Sequence, residues 1–234
     1  MASYKSVGFV LHHHNLGEAD RILTILTREK GLIRVVAKGV RRSKSKLAGH
    51  LEPFIRIQLG CAEGRNLDII TSAQASEFVL PETVDLRTRE AAYAISELFM
   101  RLLDEGPSDK SPFDLYEASL RGLAMQIDPL LVYNYAGIQL LNLLGHSPDL
   151  KVEAADMYFL SFADGIISST RPTEHYQSIS SQQIKLWRLM QQNSLDQIAR
   201  LTGTREYLAG STELLEKYIR WQLGVKLRAL HVFH

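Results

Sequence analysis

The sequence contains very little cysteine: Cys61 is the only one among 234 residues. A single cysteine excludes an intrachain disulfide framework and any zinc site built from several thiolates, and it fits a reducing compartment. Cys61 itself is predicted to be a small buried hydrophobe and not a nucleophile. The chain also lacks any run of about 18 apolar residues and any N-terminal signal-peptide pattern, so the sequence predicts neither a membrane span nor secretion.

Enzyme signatures are missing as well. The sequence has no phosphate-binding lysine loop, no glycine-rich dinucleotide turn and no nucleophile elbow of the Gly-X-Ser-X-Gly type. Glu18 and Asp20 form the only early acidic pair, which is too little for a two-metal nuclease site. Together with the basic loop described below, these absences favour a non-catalytic binding protein.

Three consecutive histidines, His12-His13-His14, suggest a metal site. In a β-strand His12 and His14 lie on one face and His13 lies on the other. Two ligands do not complete a metal site, and no carboxylate stands beside them at metal spacing. We therefore expect solvated histidines at a strand end, with no metal and no cofactor.

Charge is distributed unevenly along the chain. Residues 1–50 hold ten basic and three acidic residues, a net charge of +7. The other 184 residues hold 17 basic and 23 acidic residues, a net charge of −6, so the total of +1 hides this division. A basic end of this kind predicts a polyanionic partner, and the 45% of apolar residues predicts a real core beside it.

Residues 1–80 have the alternation typical of β-strands. The alternating or short apolar runs are Val7–Leu11, Arg21–Thr27, Leu32–Ala37, Ile55–Leu59 and Leu67–Thr71. Five short strands with basic connections fit a small closed barrel, and the five-stranded OB-fold is the commonest barrel of this kind that binds oligonucleotides. Phe9, on the first of these strands, is expected in the core.

After Pro81 the apolar residues recur at helical spacing, so residues 81–234 are predicted to be mostly α-helical and the whole chain to be α+β. The signals of helix starts are Ser111-Pro112, Asp128-Pro129 and the capping-box pair Ser180 and Gln183. A last helix is predicted from about Ser211 to Leu223. Trp187 and Trp221 fall on apolar helical stripes and are expected in the core.

The stretch 147–179 departs from the helical pattern. It has weak periodicity and contains Gly165, Pro172 and many serines. We predict an irregular insertion there.

The segment Lys38–Lys46 carries five cations in nine residues and lies between two predicted strands. Binding residues usually lie on such connections. Its glycine and two serines let the backbone approach phosphate groups, and no acidic residue interrupts the run. A merely solvated charged loop is the alternative, but runs of this kind more often contact nucleic acid.

Further motifs stand around this loop. They are Gly17-Glu18-Ala19-Asp20-Arg21-Ile22-Leu23-Thr24, Thr27 with Gly31-Leu32, Gly49-His50-Leu51-Glu52-Pro53-Phe54, Leu143-Leu144-Gly145, Pro148, Tyr218 and Leu223-Gly224. In this order they closely resemble the RecO family of bacterial recombinational repair proteins. The resemblance is dense and specific in the first part of the chain and sparse but correctly ordered in the rest.

The resemblance implies an OB-fold domain at 1–80 and a helical domain at 81–234. It implies a recombination mediator in DNA repair that binds single- and double-stranded DNA and anneals complementary strands. It implies RecR and single-stranded-DNA-binding protein as partners, through which RecA is loaded at gaps, in the cytoplasm and at the nucleoid. Many family members carry a four-cysteine zinc module where this chain has 147–179. No cysteine stands there, so we expect no zinc.

The candidate DNA-contacting residues are Arg34, Lys38, Arg41, Arg42, Lys44 and Lys46. The tail of single-stranded-DNA-binding protein ends in acidic residues and an apolar pair, so it needs an apolar pocket with a cation at the rim. We expect that pocket between the predicted helices Ser111–Ile127 and Pro129–Leu144, with Arg121 as the rim cation. An ordinary solvated charge is an equally good interpretation of Arg121.

Two other functions stay open on the residues alone. Phosphate contacts do not separate DNA from RNA, so an RNA-binding OB-fold protein in translation or RNA folding is one alternative. A metal-dependent nuclease or phosphatase that uses the histidines and Asp20 is the other. Competition between DNA and RNA tests the first alternative, and cleavage assays with divalent metal test the second.

Overall fold

The computed structural model describes residues 2–201, 203 and 205–227. The strands of its N-terminal part are β1 (Ser3–Leu16), β2 (Asp20–Thr27), β3 (Gly31–Ala37), β4 (Ile55–Ala62) and β5 (Asp68–Phe78). They form a closed barrel in the order β1-β2-β3-β5-β4. All neighbours pair antiparallel except β3 and β5, whose parallel pairing closes the barrel. This is an OB-fold followed by helices, so the predicted α+β class is confirmed.

The barrel core follows from the alternation of side chains along each strand. In β4, Ile55, Ile57 and Leu59 are buried while Gln58 is exposed. Cys61 is buried in the same core, as predicted. Burial raises the pKa of Cys61 to about 11, so its thiol stays protonated and unreactive at neutral pH.

The middle of β1 is buried on both faces. Val10 belongs to the barrel core, whereas Phe9 and Leu11 belong to a second core that the helices complete. The Phe9 ring lies 5.3 Å from the ring of Phe113 and 5.4 Å from the ring of Tyr116. The predicted core position of Phe9 is confirmed, and it joins the barrel to the helical half of the chain.

The helices are α1 (Leu86–Leu102), α2 (Ser111–Ala124), α3 (Pro129–Leu143), α4 (Ser181–Gln192), α5 (Leu195–Ala199) and α6 (Arg205–Leu223). The side chain of Asp128 accepts a hydrogen bond from the backbone N–H of Leu130 and so caps α3. Ser180 and Gln183 form the predicted capping box of α4. In the part of the chain that the structure describes, no helix has both the length and the apolar character needed to cross a membrane.

The last helix begins at Arg205, earlier than predicted. Ser211, the predicted start, is buried within the helix and accepts a hydrogen bond from Trp187 Nε1 at 2.5 Å. Trp187 is fully buried, as predicted. Trp221, near the end of α6, is 42% exposed, so its predicted core position is wrong.

The prediction of an irregular segment at 147–179 is corrected in part. The segment contains a three-stranded antiparallel sheet of β6 (Tyr158–Ser161), β7 (Ile167–Ser168) and β8 (Tyr176–Ile179), with β6 in the centre. Strands this short show too little alternation to stand out in a sequence. Gly165, with φ of 71°, turns the chain between β6 and β7, and a Cβ there would lie 2.5 Å from Tyr218 Oη. Without cysteine, these residues do not fit a four-cysteine zinc module.

A carboxylate is buried in the helical half. Glu216 on α6 is 2% exposed, and its Oε1 accepts a hydrogen bond from the Tyr133 hydroxyl at 3.1 Å. Its Oε2 has no hydrogen-bond partner among the described residues. Burial raises the pKa of Glu216 to about 7, although the bond from Tyr133 opposes this shift.

The raised pKa predicts a stability that depends on pH. The folded chain holds the Glu216 proton more tightly than the unfolded chain does. The contribution of Glu216 to the free energy of unfolding is therefore fully present below about pH 4.5 and is lost as the pH rises from 4.5 through about 7. Glu216→Gln should remove that loss and raise the free energy of unfolding at pH 8 by about 1–3 kcal/mol. Urea unfolding at pH 5 and pH 8 measures both effects. Glu213→Gln, at an exposed site of the same helix, is the control, and an equal gain from both variants would contradict the assignment.

Candidate nucleic-acid interface

The basic loop, defined as Lys38–Lys46, is anchored to the barrel at its start. Val40 is 1% exposed and belongs to the barrel core. The Gly39 N–H donates to Asp20 Oδ1 at 2.7 Å, and the Arg41 N–H donates to the carbonyl oxygen of Ala19 at 2.9 Å. These bonds hold the basic loop against the connection between β1 and β2.

The rest of the basic loop is ordered by bonds within the loop. The Arg42 N–H donates to the Gly39 carbonyl at 3.1 Å, and the Ser45 N–H donates to the Arg42 carbonyl at 2.9 Å. Gly39 takes φ of 65°, a value that few other residues tolerate. The turns therefore order the backbone of the basic loop, from which the side chains extend.

The five cations of the basic loop point to solvent. All are exposed, namely Lys38, Arg41, Arg42, Lys44 and Lys46. Among the described residues none of them lies within 4.0 Å of a carboxylate oxygen, although Arg41 Nη1 donates to the carbonyl of Gly17 at 3.0 Å. Five like charges without counter-charges of their own repel one another, so this surface is electrostatically suited to a polyanion.

Two other predicted residues lie elsewhere. Arg34, on the outer face of β3, has Nε 3.6 Å from Glu105 Oε1. Arg121 donates to both oxygens of Glu77 at 2.8 and 2.9 Å and to Glu117 Oε1 at 2.7 Å. These bonds raise the pKa of Arg121 and hold the pKa of Glu77 below its usual value. Both arginines tie the barrel to the helical half, so their charges are already compensated within the chain.

The histidines form no metal centre with other residues that the structure describes. His12 and His14 are exposed at the end of β1, and His13 is half-buried. Within residues 2–201, 203 and 205–227, no three His, Cys, Asp or Glu side chains are placed to hold a metal ion.

Two aromatic residues that were not predicted as functional are exposed, namely Phe78 at 60% and Tyr93 at 50%. Phe78 falls on the outward face of β5 together with Gln74 and Ser76, so the alternation of that strand was the signal that marked it. Tyr93 had no comparable signal, because its exposure depends on how α1 packs against the barrel.

The fold and the loop together define a class of protein. A closed OB-fold barrel with an anchored, uncompensated cationic loop has the features of oligonucleotide-binding OB-fold proteins. Comparison with family models is more specific. The model described as "Recombination protein O N terminal" matches residues 1–78, and the model described as "Recombination protein O C terminal" matches residues 84–231. The chain belongs to the RecO family of DNA repair and recombination proteins.

Individual relatives agree with this family. The chain is 32% identical to "DNA repair protein RecO" of Dehalococcoides mccartyi strain 195 over 236 residues, which covers 97% of this chain and 93% of the relative. It is 35% identical over 195 residues to the protein of that name from Bifidobacterium adolescentis, which covers 77% of this chain and 78% of the relative. The protein of that name from Bifidobacterium longum is 38% identical over 172 residues, which cover 70% of this chain and 72% of the relative.

Proposed function

We propose that this chain is a non-catalytic recombination mediator that binds single- and double-stranded DNA on the basic loop and anneals complementary strands. The observation that carries the proposal is the set of five exposed cations without carboxylate partners on a loop anchored to an OB-fold. Cations that neutralise phosphates release condensed counterions, and this release drives binding without regard to sequence. The same charges offset the repulsion between two strands, so complementary strands can meet on one surface. Membership in a DNA repair family favours DNA as the polyanion.

We also propose RecR and single-stranded-DNA-binding protein as partners, with RecA loaded as the result. The helical half suits a protein partner, because residues 81–234 hold 15 basic and 19 acidic residues, a net charge of −4, and are a poor phosphate surface. The acidic tail of single-stranded-DNA-binding protein still needs a local cation. Arg121 is engaged by two carboxylates, so we move the proposed tail site to another groove of this half.

That groove lies along α4 and has a volume of about 190 Å³. Its apolar lining includes Leu186, Leu189 and Tyr207. Lys185 at its edge is exposed, and no ion pair involves it among the described residues. The groove thus combines an apolar floor for the final residues of the tail with a cation for their carboxylates.

Strand annealing followed by fluorescence tests both parts of the proposal. The full chain should anneal naked strands and strands coated with single-stranded-DNA-binding protein. Replacing Arg42, Lys44 and Lys46 together by alanine should slow both reactions about tenfold, because phosphate contacts are lost. Lys185→Glu should slow only the reaction of coated strands, because it leaves the basic loop intact.

Lys151→Glu is the matched control, since it places the same charge change at an exposed site of the helical half. It should leave both reactions unchanged. Full-rate annealing of naked strands by the loop variant would contradict the proposed function. Full-rate annealing of coated strands by Lys185→Glu would contradict the proposed tail site alone.

A further inference from the structure

An aromatic cleft lies where the barrel meets α1. It has a volume of about 400 Å³, and its lining includes Phe54 and Phe78 of the barrel and Arg89 and Tyr93 of α1. Phe78 is 60% exposed to water, and Tyr93 is 50% exposed. Two exposed aromatic rings at one cleft form an apolar surface that a ligand can cover.

The Phe54 and Tyr93 rings of this cleft pack against each other. The Phe54 ring packs edge to face against the Tyr93 ring, with 4.8 Å between centroids and 65° between planes. Phe54 has φ of 65°, in the left-handed region that a bulky residue rarely adopts. Strained backbone of this kind is concentrated at binding sites, where it positions a side chain in advance.

The aromatic cleft continues along β1. A second pocket of about 210 Å³ shares Tyr93 with it and is lined by Leu11, His12 and His13. Partial burial lowers the pKa of both histidines, so their rings are neutral at neutral pH. Both side chains line this pocket with Tyr93, so uncharged rings continue the surface of the cleft.

The same strand connects the aromatic cleft to the basic loop. His12 lies five residues from Gly17, whose carbonyl oxygen accepts a hydrogen bond from Arg41. These five residue steps span at most about 17 Å, because β1 ends at Leu16 and Gly17 lies in the turn that follows. OB-folds cover about 4–16 nucleotides of single strand, so one bound strand can reach both features.

We propose that the aromatic cleft of Phe54, Phe78 and Tyr93 is a base-stacking site that selects single-stranded DNA. The inference rests on the proposed function, because the phosphates of the same strand lie on the basic loop. Glu52, Glu82 and Arg89 line the cleft, so its charged groups are negative on balance and disfavour phosphates, whereas an uncharged base stacks on exposed rings. Bases inside a duplex are already stacked and do not enter the cleft.

Binding of a labelled 20-nucleotide single strand and of the matching duplex, each over a range of salt concentrations, tests the proposal. Tyr93→Ala and Phe78→Ala should each weaken single-strand binding about tenfold, which corresponds to about 1.4 kcal/mol, within the range for stacking one base. The salt dependence should not change, because no phosphate contact is lost. Duplex binding should also stay unchanged, and Tyr93→Phe should bind like the original chain.

Trp221→Ala is the control, because it removes another exposed aromatic ring. Trp221 lies on α6 and packs beside His175. It should not alter binding. Unchanged single-strand affinity of Tyr93→Ala and Phe78→Ala would overturn the inference, as would an equal loss for the duplex. If these variants lose only binding to RecR, the cleft is a protein-docking site and the inference is wrong. The alanine variant of Arg42, Lys44 and Lys46 is measured in parallel, and an unchanged salt dependence there would overturn the proposed function separately.

Discussion

Replacing Arg42, Lys44 and Lys46 together by alanine should flatten the plot of log DNA affinity against log salt by about 2 for single strands and about 3 for duplexes. Each phosphate contact contributes about 0.7 to the slope on a single strand and about 0.9 on B-DNA. If the lines of the two proteins meet near 1 M salt, single-strand affinity at 0.1 M should fall about 100-fold. Fluorescence anisotropy at four or more salt concentrations gives both slopes. Arg41 is left in place, because its guanidinium also bonds to Gly17.

A matched triple variant separates the loop from the general charge of the chain. Lys110, Lys151 and Lys226 are exposed in the helical half, and no ion pair involves them among the described residues. Their joint replacement by alanine removes the same net charge and should leave the slope within about 0.5 of the original, less than one contact. Equal flattening by both triple variants would show that the DNA contacts are spread over the whole surface and are not concentrated on the basic loop.

Phe9→Ala should destabilise the whole chain by about 3–5 kcal/mol, the usual cost of emptying a buried aromatic site. Phe9 is fully buried and packs against Phe113 and Tyr116, so its removal weakens the core that the barrel shares with the helices. Both tryptophans of the chain lie in the helical half. Their fluorescence should therefore report unfolding at a lower denaturant concentration even though the substitution is in the barrel.

Gln58→Ala provides the comparison for Phe9→Ala. Gln58 is exposed on β4 of the same barrel, and its replacement should change the free energy of unfolding by no more than about 0.5 kcal/mol. Unfolding is followed by tryptophan fluorescence and by far-ultraviolet circular dichroism. If the tryptophan transition of Phe9→Ala stays where it is in the original chain, the two halves unfold independently and the shared core contributes little to stability.

Local sequence signals located most of the secondary structure. Alternation in Ile55–Leu59 marked β4, and Asp128-Pro129 and Ser180 with Gln183 marked the starts of α3 and α4. These signals work because the hydrogen bonds or side-chain faces that produce them lie within a few residues of one another. The basic loop was equally visible, since five cations in sequence cannot all avoid the surface.

Other predictions depended on partners that are distant in sequence. Arg121 and Arg34 look like free cations in the sequence, but they meet Glu77 and Glu105 only when the barrel packs on the helices. The last helix was predicted to start at about Ser211, yet Ser211 is buried within that helix and accepts a hydrogen bond from Trp187. Trp221 lies on an apolar stripe that packing leaves 42% exposed. The residue pattern along one helix or strand does not show which side chains of the neighbouring helix or strand will pack against it or pair with it.

The sequence by itself therefore determined the OB-fold, the helical half, the family and the position of the basic loop, because each is recorded in neighbouring residues. Only the tertiary structure decided which cations stay free and which join the two halves. It alone also brought Phe54, Phe78 and Tyr93 to one cleft, since these residues come from three separate segments of the chain. The physical reason is that exposure and ion pairing depend on distances across the folded chain, which local periodicity does not encode.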